Sequence, residues 1–204
     1  MAYKMTKTVD FYFDFSSPYG YLSSEKIEDL ADRCDCTIVW RPYLMGVVMK
    51  ITERKPLVHI PMLSDYSKKD LNRFARFEGI EFNQPSTFPI ATVVACRAYY
   101  WLERSDKDKA KEFARALFRA YFIQDEMISQ PDVVISIAAG LGINSNELGA
   151  ALENVSIKQA VRDVTDGAIE QEIFGSPFFV VDGEQFWGHD RMGLLEAWIK
   201  TGGW

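Results

Sequence analysis

The two ends of this chain constrain its fold more tightly than its long middle. Near the start, Val9-Asp-Phe-Tyr-Phe-Asp-Phe15 alternates and is rich in aromatic residues, which predicts a strand. Ser16-Ser17-Pro18 follows, and serine ahead of a proline at the first helical position is a helix start. Ile27, Leu30, Ala31 and Cys34 then fall at i, i+3, i+4 and i+7, one apolar face of that helix, and Thr37-Ile-Val-Trp40 is a short second strand. A strand–helix–strand unit of this length pairs its strands in parallel. Near the other end, Phe178–Val181 and Glu184–Trp187 flank Asp182-Gly183, which predicts a hairpin with a tight two-residue turn. Gly188-His189-Asp190 then opens a last helix whose apolar face is Met192, Leu195 and Ile199, with Trp198 beside it.

A β-α-β opening followed by a β-β-α ending is the order of the thioredoxin fold. Everything between reads as helix. Phe113, Ala116, Leu117, Ala120 and Tyr121 repeat at helical spacing, as do Ile90, Val93, Val94, Ala98 and Trp101. Ser129-Gln-Pro131-Asp132 is a start signal, Asn144–Glu147 and Ser156–Gln159 resemble capping boxes, and Ile157, Ala160, Val161, Val164 and Ala168 mark a long helix leading back to the sheet. The expected class is therefore α/β: a thioredoxin-like domain formed by residues 1–43 and 156–204, with a large inserted all-helical subdomain over 44–155. The junction between the two is a natural place for a pocket.

Composition removes several function classes. With 48% hydrophobic residues the chain can bury a sizeable core, so disorder is not expected. A net charge of −6 argues against a nucleic-acid backbone as the main partner. The stretch Met1–Asp10 lacks the apolar core of a secretory signal, and no run of about 18 apolar residues exists, so a cytoplasmic protein without a membrane span is expected. Cys34, Cys36 and Cys96 form no CxxC pair, which speaks against dithiol redox chemistry. Neither His59 nor His189 stands at ligand spacing from Cys34-Asp-Cys36, so those thiols read as small half-buried hydrophobes at a helix–strand junction and no metal site is expected.

Three short segments carry the possible chemistry. Ser17 sits at the strand-to-helix turn, where amide groups and the helix dipole favour an anion; taken alone it reads more plainly as a helix cap. Phe174-Gly-Ser-Pro177 precedes the hairpin, and a cis proline there would turn the backbone of Ser176 outward as an edge for an extended peptide; a trans proline entering a strand is the plainer alternative. Trp187-Gly-His-Asp190-Arg191 could hold a carboxylate on backbone amides and an ammonium group on Asp190, or Asp190 could merely cap the helix. In this topology all three meet at one end of the sheet. A thiolate site, a strand edge and a carboxylate-plus-ammonium site match the groups of a γ-glutamyl tripeptide thiol in order.

Asp10-Phe-Tyr-Phe-Asp-Phe-Ser-Ser-Pro-Tyr19, Arg41-Pro42, Phe88-Pro89, Phe174-Gly-Ser-Pro177 and Phe186-Trp-Gly-His-Asp-Arg191 together resemble the 2-hydroxychromene-2-carboxylate isomerases, a family grouped with the kappa-class glutathione transferases and DsbA-like proteins. The resemblance implies a homodimer that uses glutathione on a small acid derived from aromatic compounds. It implies that Ser17 holds the glutathione thiolate, that Ser176 before Pro177 pairs with the cysteinyl part, and that His189 and Asp190 take the γ-glutamyl end. Met49-Lys50 resembles the segment before a glutathione contact, and Arg54 stands where the kappa class has Asn; Lys50 and Arg54 are expected to attract a carboxylate of glutathione or of substrate. Phe15, Tyr19 and Met45 are expected to line the substrate pocket. The chemistry implied is reversible thiolate addition to a conjugated hemiketal acid, with ring opening, rotation about one bond and loss of the thiol. Two alternatives stand beside it: a kappa-like transferase or peroxidase, and a DsbA-like module that has lost its cysteines and only binds.

Overall fold

The computed structural model describes residues 6–204; Met1–Met5, half of the stretch read for a secretory signal, lie outside them. The elements run β1 (Lys7–Phe13), α1 (Pro18–Ser24), α2 (Ile27–Cys34), β2 (Cys36–Pro42), α3 (Met45–Ile51), α4 (Leu63–Glu78), α5 (Val93–Glu103), α6 (Lys107–Phe122), α7 (Pro131–Gly140), α8 (Ser145–Glu153), α9 (Val155–Glu170), β3 (Phe178–Val181), β4 (Glu184–Trp187) and α10 (Met192–Thr201). The sheet order is β2-β1-β3-β4, with β1 and β2 parallel and the other pairs antiparallel. This is the thioredoxin-like arrangement, with helices α3 to α9 between β2 and β3. Among the described residues no helix is long and apolar enough to cross a membrane.

Strand alternation sorts the core into two faces. Val9, Phe11 and Phe13 of β1 face one side, where Phe11 meets Trp40 and Phe179 at ring distances of 5.3 Å each and Phe13 meets Phe118 of α6 at 5.3 Å. Tyr12 faces the other side and packs with Tyr43, Val48, Ala168, Ile173 and Phe178. Each fully buried large side chain of this kind contributes about 1.5–3 kcal/mol, so the aromatic ladder across β2-β1-β3 fixes the strand register. The hairpin forms as the pattern predicts: Asp182 and Gly183 have φ of 52° and 84°, the left-handed pair a two-residue turn requires.

The structure corrects three local readings. The first helix is two helices, because Ser24 Oγ bonds back to the Tyr21 carbonyl at 2.7 Å and Ser23 Oγ is taken by His189, so the chain turns at Glu25-Lys26 before α2 begins. Ile90 lies outside α5, in the segment after a cis Phe88–Pro89 bond, and its N–H donates to Ser16 Oγ. Helix α9 is capped by Asn154, whose Oδ1 accepts from the Ser156 N–H at 2.8 Å; Ser156 is therefore inside the helix and caps nothing. At α8 the expected cap holds, with Asn144 Oδ1 accepting from Asn146 and Glu147.

Candidate functional site

The cavity lies at the end of the sheet where β1 and β3 meet α1, and it encloses about 1150 Å³ between that corner and the walls supplied by α3 and α4. Its floor is built by Ser17. The hydroxyl caps α1, accepting from the Gly20 N–H at 3.1 Å, and donates to the Ser176 carbonyl at 2.8 Å. Ser176 returns the tie, its Oγ accepting from the Asp14 N–H at 2.9 Å. The Ser176–Pro177 bond is cis, and the Pro177 carbonyl accepts from Gly188 N–H, which joins this loop to the turn after β4. Two glycines make the close approach possible. A Cβ on Gly20 would stand 3.1 Å from both Ser17 Cβ and Ser176 Oγ, and one on Gly175 would overlap the Trp187 indole.

Asp14 underlies this corner. Its carboxylate accepts from Ser16 N–H at 2.8 Å, Met45 N–H at 2.9 Å and Thr92 O–H at 3.0 Å, tying together the β1–α1 turn, the start of α3 and the start of α5. Burial pushes its pKa above the ordinary carboxylate value, against those three donors. Sequence reasoning missed this residue; the only signal was a carboxylate held between Phe13 and Phe15 at a strand end.

The remaining candidate groups line the walls. The Arg54 guanidinium stands 5.1 Å from the Phe174 ring centre and 5.3 Å from that of Trp187, so two aromatic faces orient it. Tyr19 donates to Asp70 Oδ2 at 2.7 Å, and burial together with that acceptor pushes its phenol pKa upward. Asp190 follows Gly188, whose φ is 111°, and is half-exposed beside Arg191 at 2.6 Å. Met45 begins α3 with its sulfur 2.9 Å from the Tyr43 hydroxyl.

A DsbA-like thioredoxin domain model matches residues 8–200. A 2-hydroxychromene-2-carboxylate isomerase of Sphingobium xenophagum is 30% identical over 96% of this chain and 99% of its own length. Glutathione S-transferase kappa 1 of Caenorhabditis elegans is 26% identical over 92% of this chain and 88% of its own. The chain belongs to the 2-hydroxychromene-2-carboxylate isomerase family of DsbA-like proteins. A solved 2-hydroxychromene-2-carboxylate isomerase superposes with a TM-score of 0.85, covering 93% of each chain at 24% identity, which bears on the fold. These homologues support an enzyme of isomerase or glutathione-transferase type.

Ser17, Tyr19, Met45, Arg54, Ser176, Pro177, His189 and Asp190 all line one cavity. Two expectations need correction. Phe15 is wholly buried between Phe13 and Phe118 and belongs to the core, because the chain turns into α1 before its ring could reach the cavity. Lys50 is exposed in the last turn of α3 and does not line the cavity; after Glu53, at φ 53°, the chain bends so that Arg54 and Lys55 supply the cationic wall. His189 lies on the cavity lining beside Asp190, with its ring buried and held by Ser23 and Glu78.

Proposed function

We propose that this chain is a glutathione-dependent isomerase of the 2-hydroxychromene-2-carboxylate type, working in aromatic-compound catabolism as a cytoplasmic homodimer. The observation that carries the reading is the Ser17–Ser176 contact at 2.8 Å on the cavity floor, in a corner packed so closely that a Cβ on Gly20 or Gly175 would crowd Ser17, Ser176 and Trp187. That corner fits an extended peptide thiol: the Ser176–Pro177 edge would receive its backbone, Asp190 its ammonium group, and Arg54 a carboxylate. Glutathione, when bound, would supply a thiolate that adds reversibly to the conjugated acid.

The chain's own groups do the rest. Ser17 Oγ–H now donates to the Ser176 carbonyl. With that carbonyl engaged by a ligand amide, the hydroxyl would be free to turn its proton toward a bound thiolate and hold it as a hydrogen-bond donor. Ser17 is not read as a nucleophile here: among the described residues its hydroxyl bonds the Gly20 amide and the Ser176 carbonyl, and neither can take its proton. Tyr19, Met45 and the α4 side chains Tyr66 and Phe74 orient the substrate and exclude water.

The test is turnover of 2-hydroxychromene-2-carboxylic acid, followed by absorbance, with and without glutathione. Isomerisation that requires glutathione is the expected result. Conjugation of an aryl halide without isomerisation would favour the transferase reading, which the kappa-class relatives keep open. Full turnover without glutathione would overturn the proposal.

A further inference from the structure

The buried ring of His189 has both nitrogens engaged. Nδ1 lies 2.9 Å from Ser23 Oγ on α1, and Nε2 lies 2.8 Å from Glu78 Oε1 in the last residue of α4. An ionised Glu78 can only accept, so Nε2 carries a proton toward it, and the Ser23 hydroxyl completes the chain at Nδ1. The second oxygen of Glu78 is buried without a hydrogen-bond partner among the described residues, and Lys26 Nζ reaches the Glu78 carbonyl at 3.0 Å. Helix α4 therefore ends on a carboxylate whose polar tie runs to His189, although a negative charge at a helix C-terminus opposes the dipole. A surface pair would gain little from this arrangement, whereas a buried one holds two elements in one geometry.

The placement gives the tie a role. His189 directly precedes Asp190 in the turn after β4, and α4 carries Asp70 and Phe74 into the cavity. Phe74 meets the His189 ring edge-on at 5.3 Å and the Tyr19 ring at 6.5 Å, while Tyr19 bonds Asp70. Two polar ties from α1 to α4, Tyr19–Asp70 and Ser23–His189–Glu78, thus bracket Phe74. One of them passes through the turn that holds Asp190.

We propose that His189 is a positioning residue: by joining Ser23 and Glu78 it locks the Asp190 turn to the α4 wall, so that occupancy of the turn and order of the wall are coupled. The part of this that concerns ligand rests on the glutathione reading above. Glu78 does not line the cavity, which makes it the place to cut the tie.

The experiment is a double-mutant cycle of Glu78→Ala and Asp190→Asn on the glutathione Kd, with amide hydrogen exchange read in the ligand-free protein. Glu78→Ala is expected to weaken binding by about tenfold, the usual cost of one lost buried partner, and to do so much less in the Asp190→Asn background. Glu78→Gln keeps an acceptor for Nε2 and should restore most of the affinity. In the free protein, Glu78→Ala should speed exchange at Gly188–Met192 and in the last turn of α4 together. Additive effects in the cycle, or faster exchange confined to α4, would overturn the coupling. If the wild-type protein binds no glutathione, the proposed function fails, and the exchange data still decide whether His189 joins the two elements.

Discussion

The two sides of the cavity are built on opposite principles. On the sheet side, Asp14, Ser17 and Ser176 exchange four hydrogen bonds of 2.8–3.0 Å with one another and with Met45 and Thr92, and most of their surface is withdrawn from water. On the helical side, Leu57 and Tyr66 are 44% and 58% exposed, and Arg54 stands against the faces of Phe174 and Trp187. A satisfied polar corner specifies one geometry and tolerates little change, whereas an open apolar wall adapts. If the proposed function holds, the difference is a division of labour: the fixed corner would take the constant peptide thiol, and the adaptable wall the variable second substrate.

The largest effect should come from breaking the corner at Asp14. Asp14→Ala leaves two backbone N–H groups and the Thr92 hydroxyl without their acceptor, and a loss of roughly 3 kcal/mol or more in denaturant unfolding is expected. The pH dependence has a definite sign. Because burial raises the folded-state pKa of Asp14, its contribution to stability is full below the unfolded carboxylate value and declines as pH rises through the folded one. Asp14→Asn, which cannot ionise, should be less stable but should lose that decline. A rising contribution over the same window, read from wild-type minus variant, would show that the three donors outweigh burial.

A smaller effect is expected on the open side. Arg54→Ala should leave stability within about 1 kcal/mol, since the side chain is exposed and its ring contacts are worth about that much. It should instead raise the KM for an acidic substrate or for glutathione by about tenfold, with kcat less affected. Arg54→Lys keeps the charge without the planar fork and should fall between the two. A large stability loss in either variant would erase the contrast between the two walls.

Legibility in the sequence followed the same line. The strands, the Asp182-Gly183 hairpin and the three converging motifs were readable because period-two alternation and turn chemistry are local. Ser17 was readable from Ser-Pro at a strand end, and the structure shows it both capping α1 and facing the cavity. Asp14 was not, because two of its three carboxylate partners come from elements 31 and 78 residues away. The break between α1 and α2 was hidden for the same reason, since Ser23 is claimed by His189, 166 residues later. Phe15 and Lys50 were carried over from the family resemblance, which matches positions but not side-chain directions: Phe15 turns into the core and Lys50 stays exposed outside the cavity.

The most direct measurement is the thiol pKa of glutathione bound to the wild-type protein and to Ser17→Ala, followed through the ultraviolet thiolate band during a pH titration. If Ser17 holds the thiolate, the wild-type complex will show a pKa clearly below that of free glutathione, and Ser17→Ala will return it most of the way while still binding the tripeptide. An equally lowered pKa in both proteins would contradict the role given to Ser17.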